Sequence, residues 1–179
     1  MLNTTSIDLA KHCALCDHQL KDFKTGTVCE LTNRKPEFNR TCSKIALNTK
    51  FEEILKDVNV RYIKIKGNRL LTYLYFVIFL FIGLSVIVGG FLLGKFGFDN
   101  RVVSTVPLLI MTVGLPVLGL AFGTLNTHLN EFALAKRRKS DVDDVLKLYK
   151  IDYKMQVKFG REYHGTQDVH YDLEILGRR

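Results

Sequence analysis

Two long uncharged stretches dominate the pattern of apolar and polar positions along the chain. No Asp, Glu, Lys or Arg occurs from Leu70 to Gly94 or from Val102 to Thr127. Each stretch is longer than the roughly 20 residues that an α-helix needs to cross the hydrocarbon core of a bilayer. We therefore predict an α-helical membrane protein with a transmembrane helical hairpin over residues 70–127. Its first span begins too far from the N-terminus to be a cleaved export signal.

A linking amphipathic helix is predicted directly before the first span, over residues 49–69. Thr49 and Glu52 have the spacing of a capping box, which opens a helix. Gly67 and Asn68 predict an interruption close to the membrane. The apolar residues of this helix follow the helical period and form either a core face or a docking face for a partner. They are Phe51, Ile54, Leu55 and Val58.

The segment after the second span, residues 128–179, is predicted to form a cytoplasmic helix and a β hairpin. The helix of the span is expected to continue, and Ser140 with Asp143 is expected to cap a new short helix. Residues 153–159 and 169–175 then alternate between apolar and polar side chains, which is the period of half-buried strands. Because an isolated hairpin is marginally stable, its apolar face is expected to pack on the N-terminal segment, the linking helix or another chain.

All four cysteines lie in residues 1–48, a segment with few large apolar side chains for a core. Their spacing is C-x2-C followed by two gaps of twelve residues, at Cys13, Cys16, Cys29 and Cys42. Four thiolates can close the tetrahedral shell of a zinc ion and leave no open position for a substrate, so such a site is structural. Metal binding would supply folding free energy that this small core lacks. We predict one structural zinc in a zinc-ribbon-like module, with His12 and His18 as alternative ligands.

Other uses of the cysteines stay open at this point. A redox-active cysteine pair or quartet, an iron–sulfur cluster and the absence of any metal are the alternatives to zinc. Stable disulfides are disfavoured by the reducing conditions of the cytoplasm, where the segment is predicted to lie.

The cysteine segment also carries a longer pattern, which reads C-x2-C, then G-x2-C-x-L-T, then P-x-F and a last Cys. It resembles the N-terminal four-cysteine segment of small, largely uncharacterised bacterial membrane proteins. The resemblance covers roughly residues 12–43, and Glu30 stands where the pattern often has Gly. It implies a small cytoplasmic metal-binding ribbon attached to a membrane segment, and it implies no reaction. The matching residues are Cys13, Cys16, Gly26, Cys29, Leu31, Thr32, Pro36, Phe38 and Cys42.

The net charge of +8 is concentrated beside the two spans. Short flanks rich in Lys and Arg remain in the cytoplasm, so both termini are predicted to be cytoplasmic in a multi-pass protein of the bacterial inner membrane. These basic residues are expected to contact anionic lipid head groups. No nucleic-acid partner is expected, because no basic stripe is interleaved with aromatic residues. The flanking residues are Arg61, Lys64, Lys66, Arg69, Lys136, Arg137, Arg138 and Lys139.

Small residues recur at four-residue spacing within the spans and predict close helix packing. Packing within the helical hairpin is the first interpretation, and the alternatives are packing between copies and a gate hinged at Gly114 and Pro116. Neither span has an ionisable residue at its centre, which argues against a transporter or pump built from this chain alone. The pairs are Ser85 and Gly89, Gly90 and Gly94, and Gly119 and Gly123.

Enzymatic activity is not expected. The residues outside the spans are split into two parts, and they contain no phosphate-binding glycine loop, Ser/His/Asp set or HExxH motif. We expect a non-enzymatic accessory or scaffold subunit of a larger inner-membrane complex, with the zinc module and the β hairpin contacting the partner. One alternative is a self-oligomerising membrane pore or membrane-perturbing effector with a cytoplasmic sensor module. Another is a thiol redox protein.

Overall fold

The computed structural model describes residues 4–24, 26–97, 105–163 and 166–177. The chain is mostly helical, and its residues form two compact units. The cysteine-containing unit comprises Met1–Ile63 and Leu134–Arg179, and the apolar unit comprises Lys64–Ala133. The elements in chain order are α1 Thr4–Ala14, β1 Gln19–Asp22, β2 Gly26–Cys29, α2 Thr49–Gly67, α3 Arg69–Leu92, a π-helical segment Leu93–Gly97, α4 Thr105–Leu148, β3 Asp152–Tyr163 and β4 Thr166–Leu176.

Two helices are long and apolar enough to cross a membrane, as the uncharged stretches predicted. The 24 residues of α3 rise by about 36 Å, which exceeds the thickness of a bilayer core. Only 11% of the most apolar window of each helix is buried, whereas the core helix of a soluble protein is mostly buried. The connection between the two helices, residues 98–104, lies outside the described residues.

Three glycines bring α3 and α4 into close contact within the apolar unit. A Cβ atom placed on Gly83 would lie 2.6 Å from Leu118 Cδ2, and one on Gly114 would lie 2.9 Å from the carbonyl oxygen of Gly83. A Cβ atom on Gly90 would lie 2.8 Å from Met111 Cγ. A larger residue at Gly114 would therefore meet the backbone of α3, whereas at Gly83 and Gly90 the side chains of Leu118 and Met111 would have to shift.

The small residues that recur at four-residue spacing do not all lie in the contact between α3 and α4. Gly90 and Gly94 are buried, but Ser85 and Gly89 are exposed. Gly89, Gly119 and Gly123 have open space where a side chain would be. The interpretation as packing within the helical hairpin thus fits Gly90, whereas Gly83 and Gly114 make the closest approach.

The core of the cysteine-containing unit combines residues from both ends of the chain. Phe51 and Leu55 of α2 and Leu146 of α4 are almost completely buried, at 1%, 0% and 1% exposure. The apolar stripe of the linking helix is therefore a core face, and the predicted packing of the N-terminal and C-terminal segments is confirmed. The buried cluster consists of Leu15, Leu47, Phe51, Leu55, Val58, Val142, Val145, Leu146 and Ile151.

α4 is a single helix from Thr105 to Leu148. The prediction that Ser140 caps a new helix is wrong. Ser140 lies inside α4, and its hydroxyl donates a 3.4 Å hydrogen bond to Asp144 one turn later. A Ser followed three residues later by Asp also occurs on the polar face of a continuous helix, where nothing in the local sequence distinguishes it from a cap.

The predicted C-terminal β hairpin is present. β3 and β4 pair in antiparallel register, from Asp152 opposite Leu176 to Phe159 opposite Val169, and the register shifts between Phe159 and Glu162. Tyr153, Leu173 and Ile175, at the base of the hairpin, pack against the buried cluster. The face predicted to be apolar is thus anchored to the core at one end.

Candidate metal centre

The four cysteines lie on four different local structures of the cysteine-containing unit. Cys13 is in the last turn of α1, and Cys16 lies in the turn that follows, where its N–H donates to the carbonyl of Cys13. Cys29 ends β2, and Cys42 lies in the loop before α2. The short strands β1 and β2 pair in antiparallel register and bring Cys29 opposite Gln19, which is close to Cys16 in sequence.

The turn after Cys29 is closed without a glycine. The N–H groups of Thr32 and Asn33 donate to the carbonyl of Cys29, and Asn33 has a φ of 51°. Glu30 needs no positive φ, and its carboxylate lies 3.4 Å from His18 Nδ1. The position where the resembling pattern often has Gly therefore accommodates Glu.

All four cysteines line one cavity of about 20 Å³, together with His12 and His18. This volume suits a single water-sized species. All four thiols are free of disulfides. Among the described residues, however, no group of three or more His, Cys, Asp or Glu side chains is placed so that it could hold a metal ion. The four thiols are the type of donor that a four-thiolate shell requires, but their side chains are not gathered around one point.

Burial, followed by the charges of the neighbouring Cys16, Cys29 and Cys42, raises the pKa of the Cys13 thiol to about 11. Cys13 is therefore protonated at neutral pH when no cation is present. A reactive redox cysteine needs the opposite, a lowered pKa that yields a thiolate. A metal ion would have to displace these protons in order to bind.

Hydrogen bonds hold the backbone around Cys16. The N–H of Ala46 donates to Cys16 Sγ at 3.4 Å, and the N–H of Asp17 donates to the carbonyl of Ala46 at 2.9 Å. The ammonium group of Lys50, on α2, donates to the carbonyl of Cys16 at 3.1 Å and to Gln19 Oε1 at 2.8 Å. Burial lowers the pKa of Lys50, and the charge of Lys21 lowers it further. The first turn of α2 thereby fixes the C-x2-C turn.

Tyr149, directly after α4, contacts the other side of the cysteine site. Its hydroxyl accepts a 2.9 Å hydrogen bond from the N–H of Cys42 and lies 3.2 Å from Nδ1 of the buried His12. The ring of His12 meets the rings of Tyr149 and Phe38 edge to face, with centroids 5.6 Å and 5.3 Å apart. Sequence reasoning missed this contact, because residues separated by 107 positions carry no local signal of their proximity.

The basic residues flanking the spans separate into two groups. Seven of the eight are exposed: Arg61, Lys64, Lys66, Arg69, Lys136, Arg137 and Arg138. Lys139 is different, because its ammonium group donates to Asn59 Oδ1 at 2.7 Å and to the hydroxyl of Tyr153 and lies 3.3 Å from Asp143. The ammonium group of Lys139 is thus bound by side chains of its own unit. This distinguishes Lys139 from the seven exposed residues that were predicted to contact lipid head groups.

Gly119 and Gly123 border an open groove on α4 within the apolar unit. The groove has a volume of about 450 Å³ and is lined also by Leu120, Thr124, Thr127, His128 and Glu131. The hydroxyls of Thr124 and Thr127 donate to carbonyls of their own helix, at 3.0 Å in each case. At Gly119, Gly123, Thr124 and Thr127 the groove is therefore lined by backbone and short side chains.

Comparison with protein-family models, with curated proteins and with solved structures finds no match to this chain.

Proposed function

We propose that the chain is a non-enzymatic integral membrane protein that serves as an accessory or scaffold subunit of a larger complex in the bacterial inner membrane. The observation that carries the proposal is the shared core of the cysteine-containing unit. Leu15, Phe51 and Leu55 from before the apolar unit pack with Val145 and Ile151 from after it. The chain thus combines a folded unit with a separate unit of two apolar helices, and a scaffold subunit needs both.

The β hairpin is the proposed surface for the partner protein. Its strands have 12 and 11 residues, so each extends for about 35–40 Å. Only the base packs against the buried cluster, and among the described residues β3 and β4 pair only with each other. Long strand edges of this kind readily accept another strand.

A structural zinc ion is proposed for the cysteine site, with Cys13, Cys16, Cys29 and Cys42 as its ligands. The support is that four cysteines with free thiols line one small cavity. The ion would supply folding free energy to a segment whose described residues contribute only Leu15 and Leu47 to the buried cluster. One zinc per purified chain is expected, and retention of full metal content and full stability by a Cys29→Ser variant would contradict the proposal.

The exposed basic residues are the proposed contacts to anionic lipid. Each cation near a membrane surface contributes about 1 kcal/mol to attraction by anionic lipids. Arg69 lies 5.6 Å from the centre of the Tyr73 ring, at the start of α3. A cation stacked on an aromatic ring is suited to the interface between water and hydrocarbon, where tyrosines are enriched. This group excludes Lys139, whose ammonium group is hydrogen-bonded inside its own unit.

The proposed role is tested by purification of the native protein in mild detergent, followed by measurement of the mass and composition of the particle. A larger protein that co-elutes in fixed ratio is the expected result. A Val157→Lys variant changes the half-buried face of the hairpin and should release that protein. Lys158→Ala, at the next and exposed position, is the matched control and should retain it. Particles that contain only copies of this chain would contradict the accessory role.

A second candidate function is a self-assembled pore or membrane-perturbing effector, and the open groove of α4 favours it. Gly119 and Gly123 leave room for the backbone of another helix. Overexpression is then expected to collapse the membrane potential, and replacement of both glycines by Leu should abolish this effect. The control is Gly89→Leu, on α3, which also has open space at its Cβ position but lies outside the groove. If the double variant collapses the membrane potential as strongly as the unmodified protein, assembly through this groove is eliminated.

A further inference from the structure

One hydroxyl group joins three segments of the cysteine-containing unit. Tyr149 accepts a hydrogen bond from the N–H of Cys42, in the loop before α2, and lies within hydrogen-bond distance of His12. His12 precedes Cys13 in the last turn of α1 and is only 5% exposed. Two of the four cysteine positions are thus tied, directly or through a neighbouring residue, to the end of α4.

The position of Tyr149 is itself fixed by α4. Its N–H donates to the carbonyl of Leu146 at 3.0 Å, and the N–H of Ile151 donates to the same carbonyl at 3.1 Å. Lys150 between them has a φ of 55°, which reverses the chain directly after the helix. Leu146 is 1% exposed, in the buried cluster. A displacement of the Tyr149 hydroxyl therefore acts on the last turn of α4 rather than on a loose loop.

We propose that Tyr149 is a positioning residue that couples the state of the four-cysteine site to α4. The inference rests on the proposed binding of metal by these cysteines. A metal ion bound by these cysteines would fix the Cys42 loop and the end of α1, which carries Cys13, relative to each other. The Tyr149 hydroxyl contacts both segments, and Tyr149 is bound to the last turn of α4, so this restraint extends to the end of α4.

Thermodynamic linkage makes the coupling reciprocal. If metal binding stabilises the last turn of α4, the folded last turn strengthens metal binding by the same factor, and loss of the Tyr149 hydroxyl removes this coupling. Groups that hold metal ligands in place typically change metal affinity by about 10–100-fold when they are removed. A single neutral hydrogen bond belongs at the lower end of that range. For Tyr149→Phe we expect about a tenfold loss of Zn²⁺ affinity.

A matched control is present between the same two helices. Lys11 on α1 and Asp141 on α4 form a 2.9 Å ion pair, and each side chain is more than a third exposed. Asp141→Asn removes this link between α1 and α4, but it leaves the hydrogen bonds at Cys42 and His12 in place. Any effect of Tyr149→Phe that Asp141→Asn lacks therefore reports the hydroxyl and not the general attachment of α1 to α4.

The test combines Zn²⁺ titration with hydrogen–deuterium exchange of the full-length protein in detergent. In the unmodified protein, Zn²⁺ should bind at one ion per chain and increase protection of the amides of residues 140–148. Tyr149→Phe should still bind one ion, with about tenfold lower affinity, and should lose the increase in protection. Asp141→Asn should retain both the affinity and the increase.

The outcomes separate this inference from the proposed metal site. If the unmodified protein binds no Zn²⁺, the metal site and the coupling both fail. If it binds Zn²⁺ without any change in protection of residues 140–148, the coupling alone fails, and no variant is needed for that result. If Tyr149→Phe keeps both the Zn²⁺ affinity and the Zn²⁺-dependent increase in protection of the unmodified protein, the coupling is also overturned. The metal site would remain intact in that case.

Discussion

Three oxygen-bearing side chains surround the ammonium group of Lys139. It donates to Asn59 and Tyr153, and Tyr153 in turn donates to Asp143 at 2.7 Å. Burial alone lowers the pKa of Lys139, but the hydrogen bond from Lys139 to Tyr153 and the charge of Asp143 outweigh it, so the pKa is raised. Asn59 is 4% exposed and also donates to the carbonyl of Leu55. The cluster thus links α2, α4 and β3 by charge-assisted bonds.

Replacement of Lys139 by Met is expected to lower the free energy of unfolding by about 1–3 kcal/mol, because it leaves the buried Asn59 oxygen and the Asp143 carboxylate without their cation. Urea unfolding in detergent, followed by circular dichroism, measures the change. Lys136→Met is the matched control, since Lys136 is exposed in the same helix, and it should stay within about 0.5 kcal/mol of the unmodified protein. If the two variants lower the free energy of unfolding equally, Lys139 contributes no more to stability than an exposed lysine.

The raised pKa of Cys13 predicts a loss of stability in alkali for the metal-free protein. A thiol whose pKa is higher in the folded state favours folding while it is protonated. This contribution is complete below the unfolded value of 9.0 and is lost as the pH rises towards the folded value of about 11. The melting temperature in the presence of a chelator should therefore fall over this interval. The melting temperature of Cys13→Ser should fall less steeply over the same interval. An identical fall in the two proteins would contradict the assignment of this pH dependence to Cys13.

The sequence predicts the type of residue at the cysteine site better than its surroundings. The spacing of Cys13, Cys16, Cys29 and Cys42 is visible in the chain, and the structure places all four around one cavity. The hydroxyl of Tyr149 is not predictable in the same way, since its contact to Cys42 spans 107 residues. Lys139 likewise resembles its exposed basic neighbours until Asn59, 80 residues away, is brought to it. Local patterns carry no information about such tertiary contacts.

At the scale of elements, periodicity identifies faces but not helix rotation. The apolar stripe of α2 and the alternation of β3 and β4 were both predictable, because one side of each element must be buried. α1 was missed, since its eleven residues have only a short apolar face. Within α3 and α4 nearly every side is apolar, so the four-residue spacing of small residues could not indicate which side meets the other helix. Gly83 and Gly114 occupy that side.

A Gly114→Leu substitution is expected to disrupt the helical hairpin. The new side chain would overlap Ile87, whose Cγ1 lies 2.5 Å from the position of the added Cβ, and the carbonyl of Gly83. Overpacking of this kind costs about 1–3 kcal/mol, which should appear as a lower unfolding temperature in detergent. Gly123→Leu is the same substitution at a position with open space for the new side chain. It is therefore the control for the stability of the monomer. If Gly123→Leu destabilises the monomer as strongly, the described contact between α3 and α4 is wrong.

At the scale of the whole molecule, the composition of the buried cluster constrains the topology. Leu15 and Phe51 precede the apolar unit, Val145 and Ile151 follow it, and all four belong to one core. A core of this kind cannot be divided by a bilayer. If α3 and α4 each cross the membrane, the described core places its two contributing segments on the same side, and the positive-inside rule predicts, for the exposed basic flanks, that this side is the cytoplasm.

Labelling with a membrane-impermeant maleimide in intact cells tests this topology. Cysteine is introduced either at Lys95, exposed at the end of the first span, or at Lys158, exposed on β3, and the unmodified protein supplies the background from the native thiols. Lys95→Cys should be labelled in intact cells, whereas Lys158→Cys should be labelled only after the membrane is permeabilised. An epitope at the N-terminus should be protected from external protease together with one at the C-terminus. Protection of one epitope without the other would require the shared core to be wrong, and protection of neither would reverse the orientation while leaving the core intact.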